Sequence, residues 1–180
     1  MLKKRLIGVI TVRNNMAVQS FSYQRYLPVG KAEYLVENLD RWGVDEILLQ
    51  VTDCGKDGPD LALLNRISKL PISTPVSYCG GIRNEQDAAK VIHAGAERIA
   101  LDALLHDRPD DVRSISMRIG AQAVILSMPF TIRDGIPLWL DYRTRAAHPV
   151  SSALLELMHD RMASEILVTD VDHEGGKGSF

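Results

Sequence analysis

The amino-acid sequence predicts an α/β fold built as a (βα)8 barrel that is truncated after its sixth strand, and three observations carry that reading. Short β-branched or aliphatic runs alternate with stretches of helical spacing, the second half of the chain echoes the first, and charged residues enter the strands where glycines leave them. With 180 residues, 46% apolar and 24% charged, the chain has material for one hydrophobic core and is read as one domain, 1–180. A net charge of −2 gives no general attraction to nucleic acid or to an anionic membrane. No apolar run reaches the roughly 20 residues that a membrane-spanning helix needs. The basic start, Met1-Leu2-Lys3-Lys4-Arg5, runs into Leu6–Val12 but lacks the apolar length and cleavage site of a signal peptide, so a strand in a cytoplasmic protein is expected.

Leu6–Val12 is the first strand, followed by helical spacing at Ala32, Leu35, Leu39 and Trp42. Ile47–Thr52 is the second, and Leu61, Leu64, Ile67 and Leu70 mark the helix after it. Pro75–Tyr78 is the third; Asn84 then N-caps a helix whose first turn carries Glu85 and Asp87 and whose apolar face holds Ala88, Val91 and Ile92. Ile99–Leu101 and Ala123–Met128 are the fourth and fifth strands, the latter leading into a hairpin turned at Asp134-Gly135. Leu154, Leu155, Met158 and Met162 form the last helical face before the sixth strand, Ile166–Thr169. Strands this short and continuously apolar are buried on both faces, as in a parallel sheet.

Glu46-Ile47-Leu48-Leu49 with Asp53 recurs as Glu165-Ile166-Leu167-Val168 with Asp172, a spacing of 119 residues that spans four βα units. Two such halves make a barrel of about 240 residues, so about 60 residues and two strands are missing from the expected closure. Leu6–Val12 and Ile166–Thr169 are therefore expected as unpaired edges around an exposed barrel interior, in a chain prone to self-association.

Arg5, Glu46, Arg98 and Glu165 stand at the N-terminal ends of four strands and are expected to form a charged ring at one barrel mouth. At the opposite ends, Gly80-Gly81 and Gly175-Gly176-Lys177-Gly178 offer backbone N–H groups to an anion, and with Thr169 they are the candidate phosphate- and substrate-binding residues. His173, beside Asp172 and Glu174, is a proton-transfer candidate because its ordinary pKa is near neutral; Asp53, Asp170 and Asp172 occupy similar loop positions. His93, His106, His148 and His159 lack partners at metal spacing, so no metal site is expected. Cys54 and Cys79, 25 residues apart and without a CxxC pattern, read as two small buried residues.

The opening Met1–Ile7, Asp45-Glu46-Ile47-Leu48, Gly80-Gly81-Ile82-Arg83, Ala94-Gly95-Ala96-Glu97-Arg98 and Glu165–Thr169 together resemble HisF, the cyclase subunit of imidazole glycerol phosphate synthase, along essentially the whole chain. The resemblance implies a TIM barrel with no cofactor, a HisH-like glutaminase docked at the charged mouth, ammonia passing through the barrel, and a phosphorylated small-molecule substrate at the other end. It makes Arg5, Glu46, Arg98 and Glu165 an ammonia gate and Glu97 a contact to the glutaminase. It also exposes departures. The family's two catalytic aspartates fall at Thr11 and Pro129, its lysine after strand one at Gln19, and its phosphate-contacting threonine at Ala103. Neither threonine nor proline ionises near neutral pH, and losing such a group typically costs about 10²–10⁴-fold in rate. A kept gate beside altered catalytic positions is similar to the divergent HisF-like proteins of bacterial surface-sugar amidation. That branch would add ammonia to a phosphorylated or nucleotide-linked sugar. The alternatives are the cyclase of histidine biosynthesis and a non-catalytic, partner-binding remnant.

Overall fold

A computed structural model describes residues 4–54 and 57–176. Six parallel strands form its centre, in the order β1 (Ile7–Arg13), β4 (Glu46–Val51), β5 (Val76–Cys79), β6 (Arg98–Leu101), β7 (Val124–Arg133) and β10 (Glu165–Asp170). These are the six strands that the sequence predicts. Helices α1 (Ala32–Trp42), α2 (Leu61–Ile67), α3 (Glu85–His93), α4 (Ala103–Asp107), α5 (Asp111–Ile119) and α6 (Ser152–His159) connect them.

Two faces of each strand explain the continuous apolar runs. Ile47 and Leu49 of β4, Tyr78 of β5, Ile99 and Leu101 of β6, and Val124 and Leu126 of β7 point outward into the main core, against Val36, Leu63, Leu64, Val91, Ile115 and Leu154 of the helices. Gly8 belongs to this layer, since a Cβ there would lie 2.7 Å from Leu39 of α1. The alternate residues Leu48, Cys79, Ala100 and Ile125 form a second, inner cluster, flanked by Ile7 and Leu167. The interior is buried from β4 to β7, which corrects the expectation of an exposed one there, whereas towards the unclosed edge Val9, inward on β1, is exposed as expected.

Helix starts follow local chemistry. Asn84 accepts a hydrogen bond from the Asp87 N–H at 2.9 Å, as its position predicts, and Asp60 and Ser151 cap α2 and α6 from Leu63 and Leu154 at 2.8 and 3.3 Å. Gly43 ends α1 at φ 77°, a left-handed conformation suited to glycine.

Two hairpins rise from the C-terminal ends of the strands. The expected one joins β7 to β8 (Ile136–Asp141) through Asp134 and Gly135, at φ 51° and 77°, and β9 (Ala146–His148) adds to it. The other, β2 (Met16–Phe21) with β3 (Arg25–Gly30), was not expected; it begins at Asn14-Asn15, both at positive φ (50° and 59°), a turn that asparagine tolerates. Pro28 fits because β3 lies at the sheet's end, where no further N–H is needed. Helices α4 and α5 were also not expected as separate elements; α5 buries only Val112, Ile115 and Ser116 amid charged residues.

Among the described residues β10 pairs with β7 alone, while the other edge of β1 meets β2 only at Val12 and Arg13. The edges expected from the sequence are thus open over most of their length. Val9, Ile166 and Val168 along them are 52%, 47% and 53% exposed. Hydrogen exchange of the 180-residue chain should show this directly. Amides along the free edges of β1 and β10 should exchange at least tenfold faster than those of β4, β5 and β6; uniform protection across all six strands would mean that the edges are paired in solution.

Candidate functional site

Local strand geometry assembles the N-terminal mouth. Because inward positions alternate, Arg5, Glu46, Arg98 and Glu165 all face the barrel axis, and the structure brings them together in a ring. Glu46, 3% exposed, accepts from Arg98 Nη1 at 3.1 Å and from the Ser77 hydroxyl, and forms an ion pair with Arg5 Nη1 at 3.5 Å. Glu165 accepts from Arg5 Nη2 and, at 3.1 Å, from Arg98 Nη1, while Arg98 Nη2 also donates to Ser164 Oγ at 2.8 Å. Charges alternate around the ring, so each carboxylate lies between two guanidinium groups. Glu97, outward at the start of β6, is exposed on the same mouth.

Above the ring lies the inner apolar cluster, and above that a small chamber of about 40 Å³ at the C-terminal mouth. Its walls include Gln50, Cys79, Gly80, Asp102, Ser127 and Pro129. Tyr23, from the turn between β2 and β3, and Tyr142, after β8, close it from above with ring centroids 6.2 Å apart. The Tyr23 hydroxyl donates to Gln50 Oε1 at 3.1 Å. Burial raises the pKa of both tyrosines, so each remains a neutral phenol at any ordinary pH. These two tyrosines are 119 residues apart, the spacing already visible between the two half-barrels, and that repeat was the signal that could have found them.

Asp102, at the end of β6, is the site residue that sequence reasoning missed. Among the described residues its Oδ1, closed off from solvent, has no hydrogen-bond partner, and its Oδ2 meets the Ser127 hydroxyl alone, at 3.4 Å. Burial pushes its carboxyl up to about 7; the Ser127 contact opposes the rise, Asp141 adds to it and Arg143 opposes it. Arg143 is itself engaged by Asp107 and Asp141 at 2.7 and 2.8 Å.

A larger cleft, about 590 Å³, separates β1 and the β2–β3 hairpin from β10 and the loop after it. Thr11, Gln19, Thr169, Asp170, His173 and Glu174 line it. Asp170 Oδ2 lies 2.7 Å from His173 Nδ1, which orients the ring and leaves Nε2 as its second proton-carrying position. A third cavity of about 600 Å³ runs beside Gly81, Arg83, Arg108 and Arg143.

The candidate residues divide among these places. Thr11 lines the cleft and Pro129 the chamber, so the two positions do not share one cavity, whereas Thr169 borders both. Gly80 and Gly81 border the chamber, and Gly175 and Gly176 the cleft; Lys177 and Gly178 lie outside the described residues. These glycines have a packing reason: a Cβ on Gly80 would sit 2.4 Å from the Val51 carbonyl oxygen, and one on Gly175 1.9 Å from that of Ser20. Asp53 accepts from the Asn14 N–H at 2.6 Å and Asp172 from Thr131 Oγ1 and the Ile132 N–H at 2.6 and 3.1 Å, so both hold hairpins. Ala103 begins α4, and Gln19 donates to the Ser20 carbonyl at 3.1 Å. Both cysteines are free; Cys79 is buried and Cys54 only half-buried, its thiol 3.4 Å from the Tyr78 hydroxyl. His106 stacks on Trp139 at 3.7 Å, and no cluster of metal-binding side chains occurs among the described residues. None of the described helices is long and apolar enough to cross a membrane.

Comparison with known proteins accords with this architecture. The profile of a family described as histidine biosynthesis protein matches residues 5–179. A Vibrio vulnificus protein provisionally named imidazole glycerol phosphate synthase subunit hisF2 is 27% identical over the whole chain, which spans 67% of that relative. Imidazole glycerol phosphate synthase subunits HisF of Natranaerobius thermophilus and Thermococcus gammatolerans are 26% and 27% identical, again over the whole chain and 72% of each relative.

The environment of Asp102 sets the sign of a pH effect. Its folded pKa lies above the ordinary value of about 4, so both states are protonated below pH 4, and from there to about pH 7 only the unfolded chain ionises. Wild-type stability should therefore fall relative to Asp102→Asn across that window, by on the order of 4 kcal/mol, and level off above it. Urea denaturation of both proteins at pH 4, 5.5, 7 and 8 measures the difference; a gap independent of pH would show an ordinary carboxylate.

Proposed function

The chain belongs to the histidine biosynthesis protein family as a HisF-like synthase subunit, and on that premise we propose that it receives ammonia from a HisH-like glutaminase and transfers it to a phosphorylated or nucleotide-linked sugar. The observation that carries this reading is the ring of Arg5, Glu46, Arg98 and Glu165 set over an apolar interior. A closed ring of alternating charges hinders free ions, while a neutral molecule of ammonia needs only a brief parting of one arginine–glutamate pair. Beyond it, Leu48, Cys79, Ala100 and Ile125 offer no group to protonate ammonia except a buried thiol whose pKa is raised by burial.

The acceptor's anionic part suits the cavity beside Gly81, which Arg83, Arg108 and Arg143 line, each also paired with an aspartate. Sugar chemistry suits the wider cleft. There Asp170 and His173 form a proton-transfer pair, a role that Thr11 cannot take. The glutaminase docks at the ring, with Glu97 exposed beside it.

The names of the relatives favour a second reading, the cyclase of imidazole glycerol phosphate synthase in histidine biosynthesis. Thr11 and Pro129 count against it, because neither supplies the proton transfer that ring closure requires. Expression in a histidine auxotroph lacking its cyclase subunit, together with the cognate glutaminase, separates the two. No growth without histidine is expected, and growth at a normal rate would establish the cyclase instead. The docking face has its own test: Glu97→Lys should weaken glutaminase binding at least tenfold by calorimetry, more at low salt than at high. Unchanged affinity would remove Glu97 from the interface.

A further inference from the structure

The chamber at the C-terminal mouth contains a carboxylate that the family resemblance does not employ. Asp102 follows directly on Ala100 along the inward face of β6, so a molecule rising through the interior past Leu48, Ala100 and Ile125 meets it as the first charged group. The chamber, about 40 Å³, holds one or two molecules of water size and nothing larger while Tyr23 and Tyr142 remain stacked. Two of its polar wall groups are already committed. Gln50 Oε1 is taken by Tyr23 and Cys79 carries a thiol kept protonated by burial, while Arg143, outside the chamber, is held by Asp107 and Asp141. Oδ1 of Asp102 is closed off and, among the described residues, has no hydrogen-bond partner. An acceptor with no donor, in a space for one small molecule, calls for a small donor such as ammonium or an amine nitrogen.

We propose that Asp102 is the proton acceptor for the nitrogen delivered to this chamber. The step rests on the ammonia-using reading above. The nitrogen lone pair forms a bond to an electrophilic carbon of the acceptor, and the carbon's π pair moves to its oxygen. The proton that the nitrogen then carries in excess passes to Oδ1, turning the carboxylate into a carboxylic acid, and no oxidant or further reactant is required. The chargeable groups facing Asp102 are Cys79 from β5, Tyr23 from the first hairpin, and Asp141, Tyr142 and Arg143 from the second. Burial keeps the thiol and both phenols neutral, and Asp141 and Arg143 offset one another across their ion pair. Asp102 is then the group poised to gain and lose a proton near neutrality, where a general base works best.

The experiment follows the carboxyl itself. The full chain, labelled with carbon-13 at the aspartate side-chain carboxyls, is titrated from pH 4 to 9 by NMR in sodium chloride, ammonium chloride or tetramethylammonium chloride at equal ionic strength. The expected result is one aspartate signal with a midpoint near 7 that is missing from Asp102→Asn. Ammonium should lower its midpoint by several tenths of a pH unit, and tetramethylammonium, too large for the chamber, should leave it where sodium does. A midpoint below 5, no response to ammonium, or equal responses to both cations would each overturn the proposal. Should Asp102→Asn fail to fold, Asp102→Glu clears the same signal from the aspartate spectrum while keeping the charge. Glutaminase affinity is measured separately on the opposite mouth, so a failed partner and a failed proton acceptor give different results.

Discussion

Glu46 is the residue on which the rest of the arrangement turns. A sheet whose inner face is apolar must keep water out at both ends, and at the N-terminal end one buried carboxylate does so by drawing in Arg5, Arg98 and Ser77 from three neighbouring strands. Isolated buried ions are costly, and this one persists because its oxygens are satisfied by two guanidinium groups and a hydroxyl. Glu165 repeats the device from β10 and joins Arg5 across the gap between β1 and β10, where the backbone makes no ladder. Side-chain electrostatics thus span a distance that hydrogen-bonded strands do not.

The opposite mouth is closed by different physics. Two hairpins, one after each half-barrel's first strand, place Tyr23 and Tyr142 over the chamber. The loop after β10 then ties the first hairpin down: Glu174 accepts from Ser20 Oγ and the Tyr23 N–H at 3.0 and 3.2 Å, and its carbonyl from the Ser22 N–H at 3.0 Å. Gly175 has no side chain because the Ser20 carbonyl occupies that space. Charge closes one end and aromatic surface the other, with four apolar residues between them.

The strands, most helices, the charged ring and the Asn84 cap were legible because each follows from a short local rule: continuous apolar runs, helical spacing, a charge before a strand, a capping side chain before acidic residues. The first hairpin was harder. The turn that leads into it is Asn14-Asn15 and its own turn is Ser22-Tyr23-Gln24, both without glycine, and Val18, Leu27 and Val29 alternate without an obvious partner. Asp102 carries no sequence signal at all, since a lone aspartate after a strand looks like any loop residue. What distinguishes it is the absence of a donor beside Oδ1, a property of side chains from β7 and both hairpins. Nor could spacing reveal that Thr11 and Pro129 face different cavities, because Tyr23 and Gln50, which border both spaces, stand between them only in three dimensions.

That shared partition has a mechanical consequence. Tyr23 is at once the roof of the chamber and a wall of the cleft, and the hairpin that carries it is fastened to Glu174, the residue next to Asp170-linked His173. Displacing the tyrosine to admit anything larger than a water molecule would pull on the Glu174 attachments, and because Tyr23 walls both spaces it would reshape chamber and cleft together.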